Sequence, residues 1–253
     1  GPLLLARLLK VNGIESVIVE ARSRAYVEAR IRAGVLEHGT VKLLEEAGVV
    51  DRANREGLVH EGVELGLDGG RIRIDLTGLT GKTITVYGQS EVVQDLIAAR
   101  LAGDGPIVWE AADVALHDIE TERPRLTYRP DGVDHGLACE SSAGRGEGHC
   151  EITSACGGGG GGSRSSMPAS SLRVYEQDYP FGWLGILADV PPCSEELIYA
   201  SHSRGFALAS MRSPTRSRYY IQCGRDEKLE DWPDDRLWDE LKLRRGPDVA
   251  PHV

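Results

Sequence analysis

Apolar positions along the chain change period several times, and each change marks an element. Residues 3–10 form an apolar helical face that stops at Gly13, a residue able to close a helix in the left-handed conformation. The run Ser16-Val17-Ile18-Val19-Glu20 is short, β-branched and ends in an acid. A helix followed by such a strand is the second half of a βαβ unit, and the two oxygens of a strand-terminal acid such as Glu20 can accept a ribose diol. Thr40 is placed to cap a helix carrying Leu43, Leu44 and Ala47 that closes at Gly48, and Ser90 to cap another carrying Val93, Leu96, Ile97 and Leu101, ending near Gly103.

Between those helices, residues 63–86 alternate around turn-rich glycines, as antiparallel strands do. Two more strands are predicted at 114–119 and 125–128, before the turn Pro130-Asp131-Gly132. From 141 to 166 the pattern vanishes into glycine, serine and small polar residues, with six consecutive glycines from Gly157. Such a stretch cannot build a core, and it reads as a linker, an engineered joint or a shifted reading frame. Strand patterns return at 179–189, 196–200, 206–212 and 216–222, a second antiparallel sheet. A last helix follows Pro233, with Asp234 and Asp235 in its first turn, Leu237, Trp238 and Leu241 inward, and Lys242, Arg244 and Arg245 at its end.

Composition narrows the function. A formal charge of -10 and 41% hydrophobic residues fit a globular protein and argue against a nucleic-acid surface, which needs clustered cations. No apolar run approaches a membrane span and no secretory leader is evident, so the cytoplasm is the expected compartment. The five cysteines, Cys139, Cys150, Cys156, Cys193 and Cys223, are odd in number and irregularly spaced, which favours free thiols. With His149 the first three resemble a metal cluster only loosely, because no C-x-x-C pair is present, and no metal is expected.

Chemistry is suggested by strand parity. Ser210 and Arg212 lie two apart on one predicted strand, Arg218 and Tyr220 two apart on the next, and the connection 213–215 is short enough to make the strands neighbours. Hydroxyls and guanidinium groups would then share a patch suited to an aromatic carboxylate, since arginine offers a planar fork to two oxygens. Spacing alone leaves open a solvated strand face with surface arginines. Arg30 and Arg32, shortly after the Glu20 strand, could supply countercharge to a nucleotide. His60 could carry a proton near neutral pH, or be a structural histidine.

Five ordered blocks carry a resemblance. They are Arg30-Ile31-Arg32-Ala33-Gly34-Val35-Leu36-Glu37, Gly57-Leu58-Val59-His60-Glu61-Gly62, Val86-Tyr87-Gly88-Gln89, Tyr179-Pro180-Phe181-Gly182-Trp183-Leu184-Gly185 and Ser213-Pro214-Thr215-Arg216-Ser217-Arg218-Tyr219-Tyr220. The chain thereby resembles the FAD-dependent aromatic hydroxylases of the 4-hydroxybenzoate 3-monooxygenase type. The resemblance implies an α/β (α+β) fold, in which an incomplete Rossmann-like FAD-binding domain (1–60 and 88–140) is followed by the glycine-rich segment 141–166. An antiparallel-sheet substrate domain (61–87 and 167–253) completes it.

It also implies site roles. Glu20 would hold the FAD ribose, Arg32 the flavin nucleotide and Gln89 its ribityl and phosphate region, with Arg218 beside the flavin ring. Arg30, Arg22 and Tyr26 would meet the phosphates of a transient NADPH. Ser210, Arg212 and Tyr220 would bind the substrate carboxylate, Tyr199 its phenol, and His60 would stand at the solvent end of the proton path. The partners implied are 4-hydroxybenzoate or a similar aromatic acid and O2, with no nucleic acid and no membrane, and a homodimer left open.

The sequence departs from the family pattern at three places. Only Gly1-Pro2 precede the first helix where a glycine-rich phosphate turn is expected. The family's Gly-Asp-Gly region is not found within 141–166, and its C-terminal motifs are not found after the last helix. The alternative expectation is therefore a truncated or frameshifted, catalytically silent homologue that at most binds an aromatic acid or a partner chain.

Overall fold

In the computed structural model the described residues are 1–30, 33–67, 70–103, 105–118, 121, 125–129, 135–138, 167, 170 and 172–245. The glycine-rich segment 141–166, Arg32, Cys139, Cys150, Cys156, His149 and the tail 246–253 lie outside them. The chain divides into two compact units, one of Gly1–Ile31, Glu46–Val49 and Ser90–Tyr175, the other of Arg32–Glu45, Val50–Gln89 and Glu176–Val253. Segments 32–45 and 50–60, expected with the first, cluster with the second, because their strands pair with residues 84–86 of that unit.

The first unit begins with α1 (Pro2–Val11), which ends as the sequence predicts. The Ile14 N–H reaches Leu9 O at 2.9 Å and the Gly13 N–H reaches Lys10 O at 3.0 Å, with Gly13 at φ 77°. These two bonds satisfy carbonyls that the last helical turn leaves open, a closure that needs a residue tolerant of positive φ. Next comes β1 (Ile18–Val19), paired in parallel with β7 (Ile107–Val108). The helix α2 (Arg24–Ala29), which the apolar pattern does not reveal, is capped by Ser23, whose hydroxyl accepts the Tyr26 N–H at 3.3 Å. A meander of β8 (Ala112–His117), β9 (Arg125–Arg129) and β10 (His135–Ala138) completes the unit's strands.

Two longer helices are α3 (His38–Glu46) and α6 (Gln89–Ala102). Neither starts at its expected cap. The strand β2 (Val35–Glu37) runs directly into α3, so Thr40 lies inside the helix, and α6 begins at Gln89, one residue before Ser90.

The second unit is built on two sheets. The smaller has the order β2-β6-β3, with β6 (Ile84–Val86) between β2 and β3 (Leu58–His60). A short helix α4 (Asp51–Glu56) precedes β3. The larger, six-stranded sheet has the order β11-β14-β13-β12-β4-β5, formed by β4 (Gly62–Leu67), β5 (Gly70–Asp75), β11 (Phe181–Ala188), β12 (Leu197–Ala200), β13 (Ala207–Ser213) and β14 (Arg216–Gly224). It is not wholly antiparallel as expected, because β12 pairs with β4 in parallel, Tyr199 opposite Leu65. A short helix α5 (Leu76–Thr80) follows β5.

Alternation along the strands decides which face is core. Ile198, Ala200, Ala207, Ala209, Tyr219 and Ile221 are buried on one face and cluster with Trp232, Leu237 and Leu241, the last two on α7 (Asp234–Arg245). Burying each large apolar side chain of this set contributes roughly 1.5–3 kcal/mol. An ionic clamp anchors α7. Glu240 accepts from Arg244 Nε at 3.0 Å and from Arg204, while Arg244 Nη1 donates to Gln222 O at 2.7 Å and Phe206 O at 3.3 Å. With one face covered by α7, the residues of opposite parity are left to make a site.

Candidate functional site

The pairing register sorts the predicted residues by face. Across β12, β13, β14 and β11, Tyr199 lies opposite Leu208, Leu208 opposite Tyr220, and Tyr220 opposite Gly185. In the next row Ser210 lies opposite Arg218, and Arg218 opposite Leu187. Directly paired residues share a face, as do residues two apart on a strand, so Tyr199, Ser210, Arg218 and Tyr220 all stand on the face away from α7. Adjacent strands are ~4.8 Å apart and residues two apart on one strand ~6.8 Å apart, a mesh on the scale of one aromatic ring with a polar group at each end.

Arg212 sits where the β13–β14 register shifts between Met211 and Ser213. The irregularity frees its side chain from strict alternation, and its guanidinium lies against the backbone of Gly34. Arg218 stacks on Tyr220, its Cζ 4.6 Å from the ring centroid. Burial lowers the Arg212 pKa from its usual value, the like charge of Arg218 lowers it further, and Tyr220 acts in the opposite direction. Two guanidinium groups and a phenol therefore converge on one patch beside the buried Ser210. Like charges so placed favour an anionic ligand.

An aromatic row continues the same face, and sequence reasoning did not single it out. Phe181 and Trp183 meet at 5.7 Å with an interplanar angle of 87°, Trp183 and Phe206 at 5.5 Å and 89°, and Phe206 and Tyr199 at 6.1 Å. The first two pairs are edge-to-face, an arrangement worth about 0.5–1.5 kcal/mol each, and the third is tilted. The signal was the period-two spacing of Tyr179, Phe181 and Trp183, which places Phe181 and Trp183 on one side of a strand with Tyr179 just before it. Gly185 belongs to the same row, since a Cβ there would lie 3.2 Å from Tyr220 Cε1.

The remaining residues of this unit are differently placed. Gln89 opens α6 with its N–H on Ala33 O at 2.9 Å, and the Tyr87 N–H meets Gly34 O at 3.0 Å, so residues 33–34 are pinned beside the start of that helix. His60 ends β3 in the smaller sheet and is 2% exposed, not at a solvent end as the resemblance implied. Its inward position follows from strand alternation, His60 pairing with Ile84 while the preceding Val59 points out at 62% exposure. Neither ring nitrogen has a hydrogen-bond partner among the described residues. Burial lowers the imidazole pKa, against the opposing charge of Glu196.

In the first unit Glu20 follows β1, its backbone N–H on Val108 O at 2.8 Å and its Oε1 accepting the Arg22 N–H at 2.9 Å. This holds a carboxylate at the carboxyl end of a parallel strand, the position from which an acid meets a ribose in nucleotide folds. Tyr26 is flanked by two cations, with Arg22 Cζ 5.3 Å and Arg30 Cζ 5.9 Å from its ring centroid. The three residues expected at phosphates are thus gathered by α2. Cys193 and Cys223 are free thiols, and no group of metal-ligating side chains occurs among the described residues. No helix among them is long and apolar enough to cross a membrane.

Comparison with known proteins decides the ancestry. Residues 1–252 match the model of the family described as FAD binding domain. The chain belongs to the FAD binding domain family. Within reach of that family, it is 47% identical over 251 residues to p-hydroxybenzoate hydroxylase of Acinetobacter baylyi, an alignment spanning 98% of this chain and 59% of that protein. The chain therefore spans about three fifths of the length of this curated relative. Among solved structures it is similar to PqsL, a probable FAD-dependent monooxygenase from Pseudomonas aeruginosa, with TM-score 0.75 and 18% identity over 98% of this chain and 65% of that one. It is also similar to p-nitrophenol 4-monooxygenase PnpA from Pseudomonas putida DLL-E4, with TM-score 0.71 and 13% identity over 98% of this chain and 61% of that one. These structural likenesses establish a shared fold. The mixed α/β reading and the family membership agree with the expectations from sequence.

Proposed function

We propose that the chain is the FAD- and substrate-binding part of an aromatic hydroxylase that uses NADPH and O2 to convert 4-hydroxybenzoate to 3,4-dihydroxybenzoate. The observation that carries this reading is the single sheet face shared by Tyr199, Ser210, Arg218 and Tyr220, with the Arg212 guanidinium alongside. The 47% identity to a p-hydroxybenzoate hydroxylase supports the choice of aromatic acid.

The substrate carboxylate is received by Arg212, with Ser210 and Tyr220 donating from their hydroxyls, and the ring is confined by the aromatic row through Phe206. Tyr199, in contact with Phe206 on the same face, meets the phenol at the other end of the ring, and its oxygen takes the substrate's proton as its own O–H proton passes on toward water, which leaves the ring electron-rich. The buried, neutral imidazole of His60 is the next proton carrier and needs a small opening of its surroundings to exchange with water. Glu20 fits the FAD ribose, Gln89 the ribityl and phosphate region, and Arg22, Tyr26 and Arg30 the phosphates of NADPH. Arg32 has the expected role at the flavin nucleotide. When bound, FAD would supply the oxygen chemistry, a two-electron reduction by NADPH and the placing of one atom of O2 on the ring carbon beside the hydroxyl, the other leaving as water.

The test is binding and turnover with defined partners. The chain supplied with FAD, NADPH and 4-hydroxybenzoate should yield 3,4-dihydroxybenzoate by chromatography, and calorimetry should give tighter binding for 4-hydroxybenzoate than for phenol. Arg212→Ala should remove that preference at a cost of about 2–5 kcal/mol. Equal affinity for acid and phenol in the parent chain would refute the site.

A further inference from the structure

The Arg212 guanidinium lies where a side chain at position 34 would begin. A Cβ built on Gly34 would coincide with Arg212 Nη1 and lie 2.5 Å from Cζ and 3.1 Å from Nη2. The guanidinium thus occupies the volume that any other residue at 34 would fill with its first side-chain atom. We infer that Gly34 is a positioning residue for the carboxylate-binding arginine, its bare backbone serving as the seat that fixes where the guanidinium can meet an acid. This inference rests on the carboxylate reading proposed above.

Three observations separate this role from an ordinary structural glycine. Gly34 is not among the residues with positive φ, so its backbone conformation is open to alanine without strain. Its carbonyl accepts the Tyr87 N–H at 3.0 Å and the neighbouring Ala33 carbonyl accepts the Gln89 N–H at 2.9 Å, so the seat itself is held by main-chain bonds that a substitution leaves intact. All three nearest atoms belong to the far end of one flexible side chain, with no backbone atom among them. An added methyl group would therefore meet the guanidinium first and push it aside. Arg212 is partly buried and shares the patch with Arg218, so a displaced guanidinium changes both its distance to the ligand and the local field.

The consequence is selective. Gly34→Ala should weaken binding of a carboxylate ligand and leave a neutral analogue almost unaffected, because only the acid end is read by Arg212. A small shift also suffices, since the hydrogen bonds of a bidentate pair weaken steeply as donor and acceptor lose alignment.

The experiment is a calorimetric cycle on the full chain with two probes, 4-hydroxybenzoate and 4-hydroxybenzamide. Gly34→Ala should raise the Kd for the acid about tenfold or more and change that for the amide less than twofold. Arg212→Ala should do the same, and the double variant should bind the acid no worse than Arg212→Ala alone. Equal weakening of acid and amide by Gly34→Ala would mark a merely structural glycine and overturn the inference. So would additive losses in the double variant, or parent-like acid binding in Gly34→Ala while Arg212→Ala is impaired. Parent-like acid binding in Arg212→Ala would instead remove the carboxylate site, and the positioning role with it. Should Gly34→Ala prove unstable, adding Arg212→Ala must restore the melting temperature, because the methyl group then has free space; failure to restore it overturns the inference as well.

Discussion

Replacing Glu240 by alanine tests how the sheet behind the candidate site is held. Glu240 has 9% of its side chain exposed and lies between Arg244, at 5%, and Arg204, at 57%. Breaking a buried ion pair by removing one partner costs about 3–5 kcal/mol, chiefly because the other charge stays buried. Here Arg244 retains the carbonyls of Gln222 and Phe206, and Arg204 is largely hydrated already, so the lower end applies, about 3 kcal/mol. For a chain of this size that corresponds to a melting temperature lower by about 6–12 °C. Urea unfolding followed through Trp232 and Trp238 reads the loss directly, because Trp238 packs edge-on against Tyr219 at 5.5 Å. A loss below about 1 kcal/mol would show that the carbonyl bonds of Arg244 hold α7 without the carboxylate. Acid titration supplies a second check. Burial raises the Glu240 pKa, but hydrogen bonds from Arg204 and Arg244 outweigh it and leave the group below its usual 4.5. A carboxyl lowered on folding stabilises the protein fully above its unfolded pKa, and that contribution disappears as pH falls through the folded value. Glu240→Ala should flatten this part of the acid limb.

His60 gives the opposite residue type with the same sign. Burial holds its imidazole below the usual 6.5, so the folded state resists protonation and stability should decline as pH drops below that value toward the lower folded one; His60→Leu should abolish that decline in urea titrations run from neutral to mildly acid pH. Gly205, at φ 111°, would place a Cβ 3.2 Å from Arg244 Nη1 and 3.3 Å from Gln222 Oε1, so Gly205→Ala should cost about 1–3 kcal/mol, and an unchanged denaturation midpoint would contradict the strain argument. Ser23→Ala should remove about 1 kcal/mol from α2, seen as faster amide exchange at Tyr26 and Val27.

Local chemistry made much of this legible beforehand. The Gly13 closure and the four late strands follow from turn residues and alternation, and the same-face placement of Arg218 and Tyr220 follows from period two alone. What stayed hidden depends on partners distant in sequence. Helix α2 buries none of its residues and so writes no apolar stripe, and β7 is two residues that exist because β1 pairs with them. The inward turn of His60 reflects a sheet completed by β6, and the Arg212 seat joins a strand near the end of the chain to a glycine near its start. No window of sequence contains both halves of such a contact.

The parallel join between β12 and β4 imposes an order on assembly. The β4–β5 hairpin can form as soon as it is synthesised, yet the edge that will receive β12 stays open until the later strand exists. At about 5–20 residues per second that wait is on the order of ten seconds on the ribosome. An uncovered strand edge is a template for any passing chain, so this sheet needs a guardian during its birth that it no longer needs once closed. Yield in cells should accordingly respond more to chaperone supply than to any change at the finished surface.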